Sequence, residues 1–210
     1  MTSLTDLVVA TRNPGKAKEI RTILGEVPWN LLSLESFRDV GDAPENEDTF
    51  EGNALAKANF YATATNNWVL ADDSGLEVAA LGGAPGVHSA RYAGLGATDA
   101  DRRAKLLNEL SGLSGDDRRA RFVCVCTIVK PNLEVFAVTK GICSGSIIYE
   151  ARGAAGFGYD PIFKPDGFDE TFGQLPDEVK NRISHRSRAL FEVRKLLLNW
   201  PPLDRVRSDS

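Results

Sequence analysis

Cysteine, histidine and methionine are scarce in this chain of 210 residues, which holds three cysteines, two histidines and one methionine. Cys124, Cys126 and Cys143 are odd in number and form no C-x-x-C pair, so no disulfide framework is expected. Free thiols in a reducing cytosol fit that pattern. His88 and His185 lie far apart in sequence, which argues against a four-ligand zinc site. No G-x-S-x-G elbow is present, which disfavours serine-hydrolase chemistry. No apolar run reaches the length of about 18 residues that a membrane-spanning helix needs. The opening Met1-Thr2-Ser3-Leu4-Thr5-Asp6 lacks the basic and apolar regions of a signal peptide. An excess of base is missing too: 25 Lys and Arg against 29 Asp and Glu leave a net charge of -4. That excludes a globally basic nucleic-acid footprint, so neither membrane nor direct nucleic-acid binding is expected.

What is present is an ordinary globular composition, 42% apolar and 26% charged. A chain of this length can bury roughly 70% of its unfolded surface, enough for one sizeable core. No repeat, low-complexity block or linker divides it. One domain over 1–210 is expected, with 201–210 a frayed tail.

Strand and helix signals alternate early. Leu7-Val8-Val9-Ala10 reads as a buried strand. The Asn13-Pro14-Gly15 turn chemistry leads to a helix over 17–24. A second strand is expected over 29–34. Residues 39–51 carry Asp39, Asp42, Glu45, Glu47, Asp48 and Glu51 with no base among them, and Gly41 and Pro44 make this a loop. An Ala-rich helix follows over 53–64, with Asn53 and Lys57 on one face. The run Trp68-Val69-Leu70-Ala71 predicts a strand that stops at Asp72-Asp73-Ser74-Gly75. Thr98 begins a helix reaching 110. Residues 120–129 and 133–139 flank Pro131-Asn132 and predict a long hairpin, the first strand apolar on both faces and hence central. A glycine-rich loop over 153–160, a short helix over 176–183 and a last helix over 187–200 complete the pattern. Leu190, Val193, Leu197 and Leu198 form the apolar face of that last helix. The fold class is α/β with a mixed sheet.

Several segments carry residues suited to chemistry. Thr11-Arg12-Asn13-Pro14-Gly15-Lys16 lies between a strand and a helix, where unpaired N–H groups and a lysine suit a phosphate. It is not the P-loop pattern, and a capped turn is the plainer reading. Asp72 and Asp73 would repel each other unless a cation or donors neutralise them. Magnesium favours such hard oxygen ligands together with substrate phosphates, although a single Asp could simply cap the next segment. The acidic loop could add a ligand. The segment from Lys180 to Lys195 is basic, and Ser184-His185-Arg186 falls at a helix break where side chains can converge. Phe157 between Gly156 and Gly158 could stack on a planar ring, and a purely structural role for the glycines is equally open.

Seven motifs occur in order: Thr11-Arg12-Asn13-Pro14-Gly15-Lys16, Thr49-Phe50-Glu51-Gly52-Asn53-Ala54, Ala71-Asp72-Asp73-Ser74-Gly75-Leu76, Gly82-Gly83-Ala84-Pro85-Gly86, Ser89-Ala90-Arg91-Tyr92, Gly156-Phe157-Gly158-Tyr159-Asp160-Pro161 and Ser184-His185-Arg186. In these the chain resembles the inosine triphosphate pyrophosphatase family from about residue 7 to about 198. The resemblance implies a two-lobed α/β fold, its mixed twisted sheet flanked by helices and its nucleotide-binding cleft central. It implies Mg²⁺-dependent hydrolysis of ITP, dITP and XTP to the monophosphate and pyrophosphate by a cytoplasmic homodimer, which keeps these nucleotides out of DNA and RNA. Carried over residue by residue, Thr11, Arg12, Asn13, Pro14, Gly15 and Lys16 hold the triphosphate. Asp73 binds metal and accepts the proton of water, with Asp72 in support and Glu45 as the acidic-loop ligand, Glu47 being the alternative. Ser74 contacts the substrate. Phe157 stacks on the purine, Gly158, Tyr159 and Asp160 complete that wall, and Lys180, His185 and Arg186 contact the base. Ala151 and His88 stand where the family often has proline and an aromatic. The rival readings are a non-catalytic nucleotide-binding module, a pyrophosphatase for pyrimidine or modified triphosphates, and a nucleic-acid binder using the basic C-terminal segment.

Overall fold

The computed structural model describes residues 4–200. The frayed tail expected over 201–210 lies outside the described residues. Six strands form one sheet in the order β2-β1-β3-β4-β5-β6. Both parallel pairs, β1 with β2 and β1 with β3, and an antiparallel pair, β5 with β6, are present, so the sheet is mixed. The residues fall into two compact units. One contains those up to 73, 125–139 and those from 189 onward; the other contains 74–124 and 140–188.

The first unit opens with β1 (Thr5–Val9), α1 (Pro14–Leu24), β2 (Trp29–Ser33) and α2 (Phe50–Thr65), followed by the start of β3 (Trp68–Val78). Strand β1 pairs with β2 on one edge and with β3 on the other. The chain leaving the carboxyl end of β1 therefore turns away from β3, through α1 to β2. Open parallel sheets leave a crevice for ligands at such a point. Helix α2 lays Ala58, Tyr61 and Ala62 against Val8, Ala10, Val69 and Ala71. Its small residues allow close approach to the sheet. Helix α1 begins at Pro14, three residues before the expected start. The side chain of Asn13 accepts the N–H of Lys16, and Pro14 takes the first helical position, where its missing N–H costs nothing. Turn chemistry and helix-start chemistry share these residue types.

Strand β3 corrects a second expectation. It does not stop at Asp72 but continues to Val78. Alternation along a strand sends Asp72 and Asp73 to opposite faces. Each finds polar partners there, so two carboxylates are accommodated inside the strand without facing one another. The register with β1 runs only from Trp68 to Leu70, so the aspartates lie just past the end of that pairing.

The second unit holds α3 (Asp99–Glu109), most of β4 (Arg119–Val129) and β5 (Val135–Ile147), then β6 (Phe163–Pro165) and α4 (Asp177–Ile183). Helix α3 starts with a capping box between Thr98 and Asp101. Strand β4 is buried from Phe122 to Val129, as expected of a central strand. The core gathers Leu76, Val78, Leu106, Phe122, Phe163 and Phe172. Each such side chain contributes about 1.5–3 kcal/mol on burial. Strand β6 carries no sequence signal, being three residues long and ending in proline.

The last helix, α5 (His185–Asn199), starts two residues earlier than its sequence pattern indicates. Only Ser184 breaks the chain between α4 and α5, and its hydroxyl accepts the N–H of Ser187. Leu190, Val193 and Leu197 are buried, but Leu198 is 44% exposed because it lies a further 100° or so around the helix. The three cysteines are buried, and none is in a disulfide. Among the described residues no helix is long and apolar enough to cross a membrane.

Candidate active site

In the first unit, the carboxyl end of β1 and the first turn of α1 meet the aspartates of β3. Lys16 Nζ lies 3.0 Å from Asp72 Oδ2, and the Asp72 side chain is only 2% exposed. On the other face Asn53 of α2 donates to Asp73 Oδ2 at 3.1 Å. The same Asn53 amide accepts the Glu47 N–H at 3.0 Å and donates to the Glu47 carbonyl at 3.2 Å. One buried amide thus ties the acidic loop to Asp73. Gly52 makes this possible, since a Cβ there would stand 2.9 Å from the Glu47 Cβ.

Lys57, one turn beyond Asn53, is surrounded by negative groups. It pairs with Glu45 and donates to the Asp72 carbonyl at 3.1 Å. Burial alone would lower its pKa, but Asp72, Glu45 and Asp73 outweigh that and hold it above the usual lysine value. The Asp73 pKa is raised as well, but here burial is the main cause. Burial pushes it up to about 6, with Glu45 and Asp72 adding to the rise, while Lys57 and Lys16 oppose it. A carboxyl with that pKa is mostly ionised at neutral pH yet basic enough to take a proton from water.

Arg12 is engaged elsewhere. Its Nε lies 2.8 Å from Asp42 Oδ1 and its Nη2 donates to the Val40 carbonyl, so it holds the start of the acidic loop. Thr11 Oγ1 accepts the Asn13 N–H. Of the acidic-loop candidates, it is Glu45 that directs its carboxylate to Lys57, while Glu47 meets Asn53 through its backbone.

The second unit gathers the aromatic and the basic residues. Lys180 Nζ stands 4.8 Å and Arg186 Cζ 5.6 Å from the centre of the Phe157 ring. Both cations are almost wholly buried. Lys180 is also 2.6 Å from Asp160 Oδ2, which accepts the Phe157 N–H at 2.8 Å as well. Gly156 is required here: it has φ of +75°, and a Cβ would fall 2.1 Å from Asp160 Oδ2. Arg186 Nη2 donates to Ser74 Oγ at 2.8 Å. His185 stacks on Phe122 with ring centres 4.6 Å apart. Tyr159 points into the core and donates to the Ser89 carbonyl.

The sequence-derived residues therefore form two groups. Lys16, Glu45, Asp72 and Asp73 are together in the first unit. Ser74, Phe157, Asp160, Lys180 and Arg186 are together in the second. Arg12 and Tyr159 direct their side chains to structural partners. Asn53 and Lys57 are additions. Their signal was two polar residues one turn apart on an otherwise small, apolar helix face. Among the described residues, no three His, Cys, Asp or Glu are gathered closely enough to hold a metal by themselves.

The model of the Ham1 family matches residues 7–196. The dITP/XTP pyrophosphatase of Geobacter sulfurreducens is 48% identical over 201 residues, covering 96% of this chain and 100% of the relative. A solved HAM1 protein from Coxiella burnetii superposes with a TM-score of 0.85 at 39% identity, covering 92% of this chain and 98% of that one. The Staphylococcus aureus Ham1 protein gives 0.82 at 41% identity, with the same coverage.

Proposed function

The chain belongs to the Ham1 family, and from that premise we propose that it hydrolyses dITP, ITP and XTP to the nucleoside monophosphate and pyrophosphate. Removing these nucleotides keeps deaminated purines out of DNA and RNA. The observation that carries the reading is the meeting of Lys16, from the head of α1, with the Asp72-Asp73 pair of β3.

Thr11 to Lys16 take the phosphate chain, using the first-turn N–H groups of α1 and the Lys16 ammonium. Water attacks the α-phosphorus, the bond to the bridging oxygen of the β-phosphate breaks, and pyrophosphate leaves. Asp73 accepts the water proton. The donor set suits Mg²⁺: Asp72, Asp73 and Glu45 are hard oxygen donors that already surround a cation, Lys57. Magnesium typically takes one or two carboxylates and fills its remaining places with water and phosphate oxygens. Asp73 with one further carboxylate, Glu45 or Asp72, would hold the ion, which when bound would neutralise phosphate charge.

Phe157 stacks on the purine, and Lys180, His185 and Arg186 face its edge. Lysine and arginine only donate hydrogen bonds. They suit the 6-keto oxygen of hypoxanthine and xanthine and leave the 6-amino group of adenine unmatched. Such a mismatch can discriminate by about 10⁴-fold. A cytoplasmic homodimer completes the reading. Rates for dITP, ITP, XTP, GTP and ATP, with Mg²⁺ and then with EDTA, test it. Pyrophosphate release from dITP and XTP that EDTA abolishes is expected; a preference for ATP would overturn the assignment.

A further inference from the structure

Gly158 follows the stacking aromatic, and one helix takes both ends of its backbone. Its N–H donates to Asp99 Oδ2 at 2.7 Å, and its carbonyl accepts from Arg103 Nη1 at 2.7 Å. Asp99 and Arg103 are four residues apart on α3 and so share a face. Burial works against the Asp99 charge, yet hydrogen bonds from Arg102 and from the Gly158 N–H, with Arg103 nearby, hold its pKa below the usual carboxylate range. On the preceding residue, the Phe157 N–H is already taken by Asp160. Three charged side chains thus fix two successive residues of one loop. Gly158 has φ of +60°, and a glycine without such anchors would move freely between backbone states. Helix α3 is itself secured, through its capping box and through Arg102 Nη1 on the Ala90 and Ala97 carbonyls.

We propose that Asp99 and Arg103 are positioning residues for base recognition, clamping Gly158 so that the Phe157 ring is set before the purine arrives. The inference rests on the reading of Phe157 as the stacking residue. Order established in advance lowers the entropy lost on binding, so the clamp acts on KM and leaves the phosphate chemistry untouched.

Steady-state kinetics on the full chain with dITP and XTP, alongside thermal melts, test this. Asp99→Ala and Arg103→Ala should each raise KM about tenfold, the effect of losing one charge-assisted hydrogen bond. Turnover should stay within about twofold. Asp99→Asn keeps an oxygen to accept the Gly158 N–H and should recover most of the loss. Unchanged KM in both alanine variants, or a fall in turnover and melting temperature at constant KM, would overturn the clamp. Phe157→Ala is measured in parallel. If it raises KM and the α3 variants do not, only the clamp fails; if it leaves KM unchanged, the stacking reading beneath the clamp fails.

Discussion

The two groups of site residues handle charge in different ways. Around Asp72 and Asp73, carboxylates and ammonium groups neutralise one another: Lys16 lies on Asp72, and Lys57 lies between Glu45 and the β3 backbone. On the proposed reading these partners are exchangeable, a phosphate taking the lysines and a cation taking the carboxylates. Around Phe157 the cations are already committed. Lys180 is held by Asp160, Arg186 donates to Ser74, and both lie over an aromatic ring. The first group is suited to charge that moves during a reaction, the second to a fixed shape that selects a base. Changes in the first should therefore appear in turnover, and changes in the second in KM and in discrimination between bases.

The sharpest test of that contrast is Asp73→Asn. It should lower kcat by about 10²-fold or more while the thermal midpoint stays near that of the parent. Asn53 can still donate to the remaining amide oxygen, so folding is preserved. Near-normal turnover would remove Asp73 from the chemistry. Next in size is Lys16→Met, which takes the ammonium away from buried Asp72 and from the phosphate. Denaturant melts should show a loss of about 3 kcal/mol, and kcat/KM should fall by about tenfold or more. If stability falls and kinetics do not, Lys16 serves only to neutralise Asp72.

Gly156→Ala probes the second group. The added methyl would collide with Asp160 at a backbone angle unfavourable to alanine. About 2 kcal/mol of stability should be lost, and KM should rise more than kcat falls. The smallest effect concerns Asp99, whose pKa is lowered on folding. A lowered pKa means that its contribution is present above the unfolded value of about 3.9 and disappears as pH falls through the folded one. The difference in melting temperature between the parent and Asp99→Asn should therefore persist at neutral pH and vanish in strong acid. A difference that grows on acidification would contradict the lowered pKa.

Much of this arrangement was legible in the sequence because local chemistry and tertiary position agree. Leu7 to Ala10 and the Phe122–Val129 run are apolar on both faces and lie inside the sheet. Thr98 and Asp101 form the capping box that their spacing suggests. The family motifs bring Lys16 to Asp72, and Phe157 to Lys180 and Arg186. The failures came where a residue type serves two purposes. Asn13-Pro14 reads as a turn and also as the start of a helix. Two aspartates read as the end of a strand, because periodicity cannot show that Asn53 and Lys16 await them on opposite faces. The Arg12 guanidinium meets Asp42 and Val40 of a loop 28 to 30 residues away in the chain, a contact that local chemistry does not show. The roles of Asn53, Lys57 and Asp99 depend on contacts distant in sequence that no single segment encodes.

The direction of attack on the triphosphate is the claim on which the account turns. Hydrolysis of dITP in ¹⁸O-labelled water, followed by mass analysis of both products, measures it directly. Label in the nucleoside monophosphate, with unlabelled pyrophosphate, is the predicted result. Label in the pyrophosphate, or release of single phosphates, would contradict it.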